Sequence, residues 1–400
     1  MRDDIVDSRL TAPVGAGNGP AVPELAALFL RLGCTAFGGP AAHVTVMETA
    51  VVTQRGWLTR AEFLDLLGVV QLLPGPNSTE LAVHIGYTRG GWRAGVVAGL
   101  CFVLPSVVLV WLLASVSTAP ALRPVVTAVL WWLTPVVVAI LLDAQWKFGS
   151  QAWHRPFATA VMPLTAIAAV LLPSDLMVIV IGAVLSMLMS RVGARGAGTL
   201  AAMLLVIGAS RALLAQVSPP VLVHAATGSI FLYFLRTGAS VFGSGYVLLA
   251  YLQHDLVDAR HWLSLETLTQ ASALAQITPG PLFATATAAG YAIGGNAGAL
   301  AATIGIFAPA FLSVTISAPI RGLIRRAPLV RSALDGIVIA SVALLGRAIV
   351  GFAMPLAAWQ WLACLVAALL LFIVRVQTTL LLAGAVLVSL VALIFHFTPS

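Results

Sequence analysis

The sequence predicts an all-α, polytopic membrane protein. It is expected to contain two inverted-topology repeats with broken or re-entrant helices, plus one linking helix. Three observations carry this expectation. Hydrophobic residues make up 60% of the 400 residues and charged residues only 9%, against about 25% charged in a soluble domain. Such a chain cannot cover a water-facing surface. Next, a stretch beginning at Phe29 returns 205 residues later. Last, several apolar runs are cut short by glycine and proline at matching places in the two halves.

The charges exclude other classes. Lys+Arg total 21, Lys147 being the sole lysine, against 14 Asp+Glu. Nucleic-acid binding needs a basic patch on a solvated domain. Here the arginines stand singly between apolar runs, as in the cytoplasmic loops of membrane proteins. Cys34, Cys101 and Cys364 lie too far apart for zinc or disulfide spacing and are expected to be packing residues.

In chain order, residues 1–23 lack the apolar core of a signal peptide and read as a short disordered cytoplasmic tail. The first repeat covers 24–190, a linker with one helix covers 191–228, and the second repeat covers 229–397. Phe29-Leu30-Arg31-Leu32-Gly33 matches Phe234-Leu235-Arg236-Thr237-Gly238, and Phe37-Gly38 matches Phe242-Gly243. The same offset carries Trp57-Leu58 onto Trp262-Leu263, and Gln71-x-x-Pro74-Gly75-Pro76 onto Gln276-x-x-Pro279-Gly280-Pro281. One residue later drops out, and Gly90-Gly91 and Pro105 then match Gly294-Gly295 and Pro309.

Each repeat opens with two hairpins of short helices, 24–54 and 62–88, then 229–257 and 266–292. A 12-residue helix reaches only about 18 Å, well short of a hydrocarbon core of roughly 30 Å. The breaks fall at Gly38-Gly39-Pro40 and Pro74-Gly75-Pro76, where the second helix resumes at Asn77. Segments 94–116, 125–143, 156–172 and 175–190 follow, with counterparts 296–318, 333–350, 354–374 and 376–397. These are expected to span or nearly span the membrane.

The arginines orient the repeats. Arg89 and Arg93 follow the second hairpin of the first half, whereas 293–296 carries no charge. One helix later the bias reverses: Arg123 stands alone, while Arg321, Arg325, Arg326 and Arg331 cluster. The repeats should therefore face opposite sides, with residues 199–216 as the unpaired crossing helix. The N-terminus is expected in the cytoplasm and the chain in the inner membrane. Arg260 and His261 then violate the rule by falling outside.

Inverted repeats with broken helices are the pattern of secondary transporters that bind substrate at the midplane. A helix starting inside the membrane points free N–H groups and its positive dipole end at the break, a ready anion site. The candidate residues are Gly38, Gly39, Pro74, Gly75 and Pro76 in the first half, and Gly243, Ser244, Gly245, Pro279, Gly280 and Pro281 in the second. After the first break, Asn77-Ser78-Thr79-Glu80 admits two readings of Glu80. It closes a capping box with Asn77, or it is a buried carboxylate that exchanges a proton or balances arginine. Gln71 and Gln276 precede the breaks and either donate to an oxyanion or pack helices. Arg31 and Arg236, mid-run in apolar half-helices, are costly there and carry the donor fork suited to oxyanions; snorkelling to a headgroup is the other reading. His43 and His84 read as structural or pore-lining before proton-carrying. Asp65 and Asp143, near helix ends, reach the interface or pair with arginine. No His-Glu-x-x-His, clustered histidine or Cys-x-x-Cys is present, so no cofactor, metal site or enzymatic activity is expected.

At these residues the sequence resembles the chromate ion transporter family in its long, two-domain form. The matching runs are Phe37-Gly38-Gly39-Pro40-x-x-His43, Gln71-x-x-Pro74-Gly75-Pro76-Asn77-Ser78-Thr79-Glu80, Gly86-x-x-x-Gly90-Gly91, and Gln276 to Pro281. The resemblance runs in order from Glu24 onward. It implies chromate export across the bacterial inner membrane and chromate resistance. The implied partners are a small inorganic oxyanion, chromate first and sulfate second, and membrane lipid; a homodimer is compatible. The second half departs from the pattern, with Gly243-Ser244-Gly245 for Gly-Gly-Pro, Leu248 for His43 and Thr285 in the place of Glu80.

Overall fold

The computed structural model describes residues 21–71, 73–172, 174–192, 225–242 and 245–394. The tail expected at 1–23, save its last three residues, lies outside them. So do the linking helix expected at 199–216, Gly243 and Ser244, and the side chains of Arg321, Arg325 and Arg326. Among the described residues every regular element is helical, the outcome the composition demands.

The first half is a series of seven helices: α1 (Val22–Thr35), α2 (Gly39–Glu48), α3 (Arg60–Val70), α4 (Asn77–Ser117), α5 (Arg123–Trp153), α6 (Ala158–Leu171) and α7 (Asp175–Val192). The second half repeats the series: α8 (Thr227–Gly238), α9 (Gly245–Leu252), α10 (Leu265–Ile277), α11 (Thr285–Arg326), α12 (Pro328–Ala353), α13 (Ala358–Leu369) and α14 (Thr378–Ile394). Even local details recur. α2 and α9 each run on into a π-helical turn, Thr49–Gln54 and Gln253–Ala259. Thr59 and Ser264 cap α3 and α10 by accepting from the N–H three residues on. Arg55 lies 5.4 Å from the Trp57 ring and Arg260 lies 5.0 Å from the Trp262 ring. That cation–π contact gives Arg260 a packing reason for its place whichever side of the membrane it occupies.

The expected separation of 77–87 from 94–116 is present: α4 consists of two helical legs joined at Gly90 and Gly91, whose backbone is not helical, with φ of −153° and +71°. The bend in α11 at Gly294 and Gly295 repeats it, with φ of −141° and +60°. Only glycine takes the positive φ of the second residue without strain. The four long apolar helical stretches are Asn77–Ser117, Ala128–Trp153, Leu282–Val314 and Pro328–Ala353. By contrast α6, at 14 residues, reaches about 21 Å and does not cross a full hydrocarbon core.

α4 and α11 pack against each other at the centre, α4 covered by α1 and α11 by α8. Small residues permit the approach: a methyl group on Gly33 would stand 2.5 Å from the Phe102 carbonyl. Around this centre the halves exchange helices. α12 of the second half packs on α6 and α7 of the first, while α5 of the first packs on α13 and α14 of the second. The halves are therefore interlocked and share one core. Three ion pairs sit in these outer helices: Lys147 with Asp143 at 2.6 Å, Arg155 with Asp335, and Arg347 with Asp175. Asp143 thus pairs with the lone lysine and not with an arginine. Asp65 and Cys34 are exposed, so Cys34 is not a packing residue, whereas Cys364 is buried.

Candidate functional site

The two Pro-Gly-Pro breaks meet partners from the opposite half, reciprocally. Gly75 N–H donates to the Val241 carbonyl at 2.8 Å, and Gly280 N–H donates to the Ala36 carbonyl at 2.9 Å. Val241 is the repeat equivalent of Ala36, as Gly280 is of Gly75. Each break is thus tied to the end of the first helix of the other half, which is the contact pattern of a pseudo-two-fold axis. Both glycines have positive φ, +129° at Gly75 and +97° at Gly280, so the chain reverses there without a side chain in the way.

Helix α4 starts immediately after the first break. Pro76 is its N-cap with no side-chain cap, and the N–H groups of Thr79 and Glu80 turn back to the Pro76 carbonyl. The capping-box reading of Glu80 is therefore overturned. Its side chain instead points across to the break and to α11. A methyl group on Gly75 would stand 3.0 Å from Oε1, and Ser313 Oγ lies 3.0 Å from that oxygen.

His43 ties the same region together. Its Nε2 lies 3.2 Å from the Ala36 carbonyl and its Nδ1 lies 3.1 Å from Ser78 Oγ. A carbonyl only accepts, so Nε2 carries the hydrogen and the Ser78 hydroxyl donates to Nδ1. The Ala36 carbonyl thus accepts from both His43 and Gly280, and the ring edge packs against Phe102 at 5.5 Å. The His43 ring is held on both nitrogens beside the break, an arrangement compatible with both the structural and the pore-lining readings of the sequence. Leu248, its counterpart, is fully buried and makes the equivalent position purely apolar.

Two small cavities lie along the breaks. One, of about 30 Å³, is lined by Gly38, Gly39, Tyr246, Gln276, Thr278 and Gly280 among others. The other, of about 10 Å³, is lined by His43, Pro76, Asn77, Ser78, Gly245 and Pro281 among others. Each has room for about one or two waters. Buried polar atoms without a hydrogen-bond partner among the described residues gather here: Thr79 Oγ1, Glu80 Oε2, Ser106 Oγ and Gln276 Oε1. Native structures satisfy nearly all such atoms, so these four mark the breaks as one place, though not the sole one, where polar groups await a partner. A third cavity, of about 560 Å³, opens at the far end of α4, among Ser117, Thr118, Glu266, Gln270 and Tyr291.

The structure gathers most of the sequence candidates around the paired breaks. It does not gather all. Arg31 and Arg236 stand on exposed faces of α1 and α8, Gln71 is exposed, and His84 is buried inside α4. Sequence reasoning missed Ser106, Ser313, Thr278 and Tyr246. A signal for the serines was present: both are hydroxyls in apolar runs shortly after the matched prolines, Pro105 and Pro309.

The described residues form an all-α membrane protein of two interlocked sets of seven helices that meet at paired breaks, an architecture that fits a membrane transport protein. Sequence comparison gives the family. The family model described as Chromate transporter matches residues 23–188 and 228–390, one match on each half, and the chain belongs to that family. It is 27% identical over 379 residues to a Chromate transport protein of Cupriavidus metallidurans, covering 92% of each chain. It is 28% identical over 332 residues to a Probable chromate transport protein of Synechococcus elongatus, covering 82% of this chain and 84% of that one. A Chromate transport protein of Pseudomonas aeruginosa is 30% identical over 302 residues, 72% of this chain and 71% of that one. No solved structure matches.

Proposed function

We propose that the chain is a secondary carrier that exports chromate from the cytoplasm across the inner membrane, with chromate resistance as the consequence. The observation that carries this reading is the reciprocal pairing of the breaks. It supports an oxyanion site in which the first turn of α4, with the positive end of its dipole, faces a tetrahedral dianion beside Gly75 and Gly280. Gly38, Gly39, His43, Pro74, Pro76, Asn77, Ser78, Thr79, Gly245, Gln276, Pro279 and Pro281 surround that position. Arg31 and Arg236 attract the anion from the exposed faces of their helices. The two cavities at the breaks are water-sized, so the halves must part for a dianion to enter. An inside-negative potential contributes about 2.3 kcal/mol per charge per 100 mV to outward movement of an anion.

The inverted arrangement of the halves is part of this proposal. Trp111 Nε1 donates to Asn296 Oδ1 at 2.9 Å, beside the second glycine bend. Trp111 lies about 30 Å along α4 from Gly91 at 1.5 Å per residue. That distance supports placing the Gly90-Gly91 and Gly294-Gly295 bends on opposite faces of the membrane, with the large cavity on the outer one. Single cysteines at 89–93 are expected to resist an impermeant reagent added outside, and cysteines at 293–296 to react. Labelling of both from one side would contradict the inversion.

Transport itself is tested with inverted membrane vesicles. Chromate is expected to accumulate in them when the protein is present, faster when the interior is positive, with sulfate as competitor. Absence of chromate movement under any imposed potential would remove the proposal; preferential movement of sulfate would reassign the substrate within the oxyanions.

A further inference from the structure

Three acids are buried among the described residues: Asp143, Asp175 and Glu80, the last with 0% exposure. The first two hold Lys147 and Arg347. Glu80 is different, because no cation pairs with it among the described residues. Among the described residues of the neighbouring elements, none forms an ion pair with it. On α1, Glu24 and Arg31 are exposed, as are Arg60, Glu62 and Asp65 on α3 and Arg236 on α8. Glu48 of α2 is paired with Arg60, and His43 is engaged by Ala36 and Ser78. On α4 itself, His84 lies one turn further on, and Arg89 and Arg93 lie at the bend. The described part of α11, residues 285–314, contains Tyr291 as its sole titratable side chain, and that residue lines the large cavity. An ionised carboxylate so placed costs several kcal/mol, and a buried group in that position neutralises instead.

The hydrogen bonds say the same. Ser313 Oγ lies 3.0 Å from Glu80 Oε1 and 3.0 Å from the Ala310 carbonyl. A serine hydroxyl has one hydrogen, and the carbonyl can only accept it. Both contacts are made in full when Glu80 supplies a hydrogen to Ser313 Oγ. Carboxyl and break are adjacent, Oε1 standing 3.0 Å from a methyl group placed on Gly75.

We propose that Glu80 is the proton site of the carrier, and that a proton on its carboxyl and an oxyanion at the Gly75 break bind together. The inference rests on the anion-site reading above. An ionised Glu80 would repel a dianion at that distance, whereas the neutral acid can turn its one hydrogen from Ser313 Oγ to an anion oxygen. The carboxylate takes its proton from water on the side to which the site is open, forming the O–H bond. When the anion leaves on the other side, that bond breaks and the proton returns to water. One dianion and one proton then cross as a unit, carrying one net negative charge.

The test is calorimetry on the purified full chain in detergent, with sulfate and chromate as probes, in two buffers of different ionisation enthalpy. The wild type is expected to take up one proton per anion on the alkaline side, its affinity falling about tenfold per pH unit there. Glu80→Gln is expected to bind without proton uptake and with a flat pH dependence, and Asp65→Asn, at an exposed acid of α3, to keep the uptake. Anion binding by the wild type with no proton uptake at any pH overturns the inference while leaving the anion site standing. Uptake retained in Glu80→Gln overturns it as well. No binding of either anion at any pH removes the anion site and the inference together. If Glu80→Gln does not fold, Glu80→Asp decides: it is expected to keep the proton uptake but to move the pH at which affinity begins to fall, and an unmoved profile overturns the inference.

Discussion

Gly75→Leu and Gly280→Leu are each expected to reduce chromate transport to background while leaving the protein in the membrane near its normal level. At φ of +129° and +97° an L-residue is strained by about 1–3 kcal/mol. A Cβ on Gly75 meets Glu80 Oε1 at 3.0 Å and the Gly238 carbonyl at 3.4 Å; on Gly280 it meets Ser106 Cβ at 2.7 Å. The larger side chain must also push apart Gly75 from Val241, or Gly280 from Ala36, contacts that join the two halves. The helices on either side remain packed against their neighbours, so insertion should survive. Alanine at either position should give an intermediate loss, since it brings the strain with less bulk. Vesicle flux normalised to protein in the membrane is the measurement. Full transport by both leucine variants would reduce the breaks to ordinary kinks.

Arg347→Met is expected to cost about 3–5 kcal/mol of stability, the usual penalty for leaving one member of a buried ion pair alone. Arg347 of α12 bonds Asp175 at the start of α7, and its Nη1 donates to the Ala169 carbonyl at 2.9 Å. It therefore clasps the second half onto the first. Asp175 is only 2% exposed, so without Arg347 its charge has no solvent to compensate it. Asp175→Asn with Arg347→Met should recover most of the loss, because no uncompensated charge then remains. Thermal unfolding in detergent of the two single variants and the double variant measures the coupling. Additive losses would show that the pair acts as two independent contacts. Arg155 and Asp335, with side chains 33% and 20% exposed, should couple more weakly because water screens them.

Much of the fold was legible because its signals are local. Glycine and proline announce a helix break through their own covalent structure, so the breaks at 74–76 and 279–281 and their repeat register could be read directly. The breaks at 90–91 and 294–295 were legible for the same reason, since the second glycine of each pair takes a positive φ that ends the helical run. The caps at Thr59 and Ser264 were present in the sequence and went unread. The candidate site was half legible. Asn77-Ser78-Thr79-Glu80 has the spacing of a capping box, and only the observed direction of the Glu80 side chain rejects it. Arg31 and Arg236 drew attention as intramembrane charges, yet sequence spacing does not say which face of a helix a residue occupies relative to its neighbours.

By itself the sequence determined that this protein is an apolar, helical, duplicated membrane chain of the chromate transporter type, and where its helices break. Those properties reside in composition, in periodicity and in the stereochemistry of single residues. Only the tertiary structure decided that each break is bonded to the opposite half, that α5 and α12 are exchanged between halves, and that Glu80 lies beside Ser313, 233 residues away, with no cation paired to it among the described residues. The physical reason is that burial and pairing are properties of what surrounds a side chain. Those surroundings are assembled from distant segments only when the core closes.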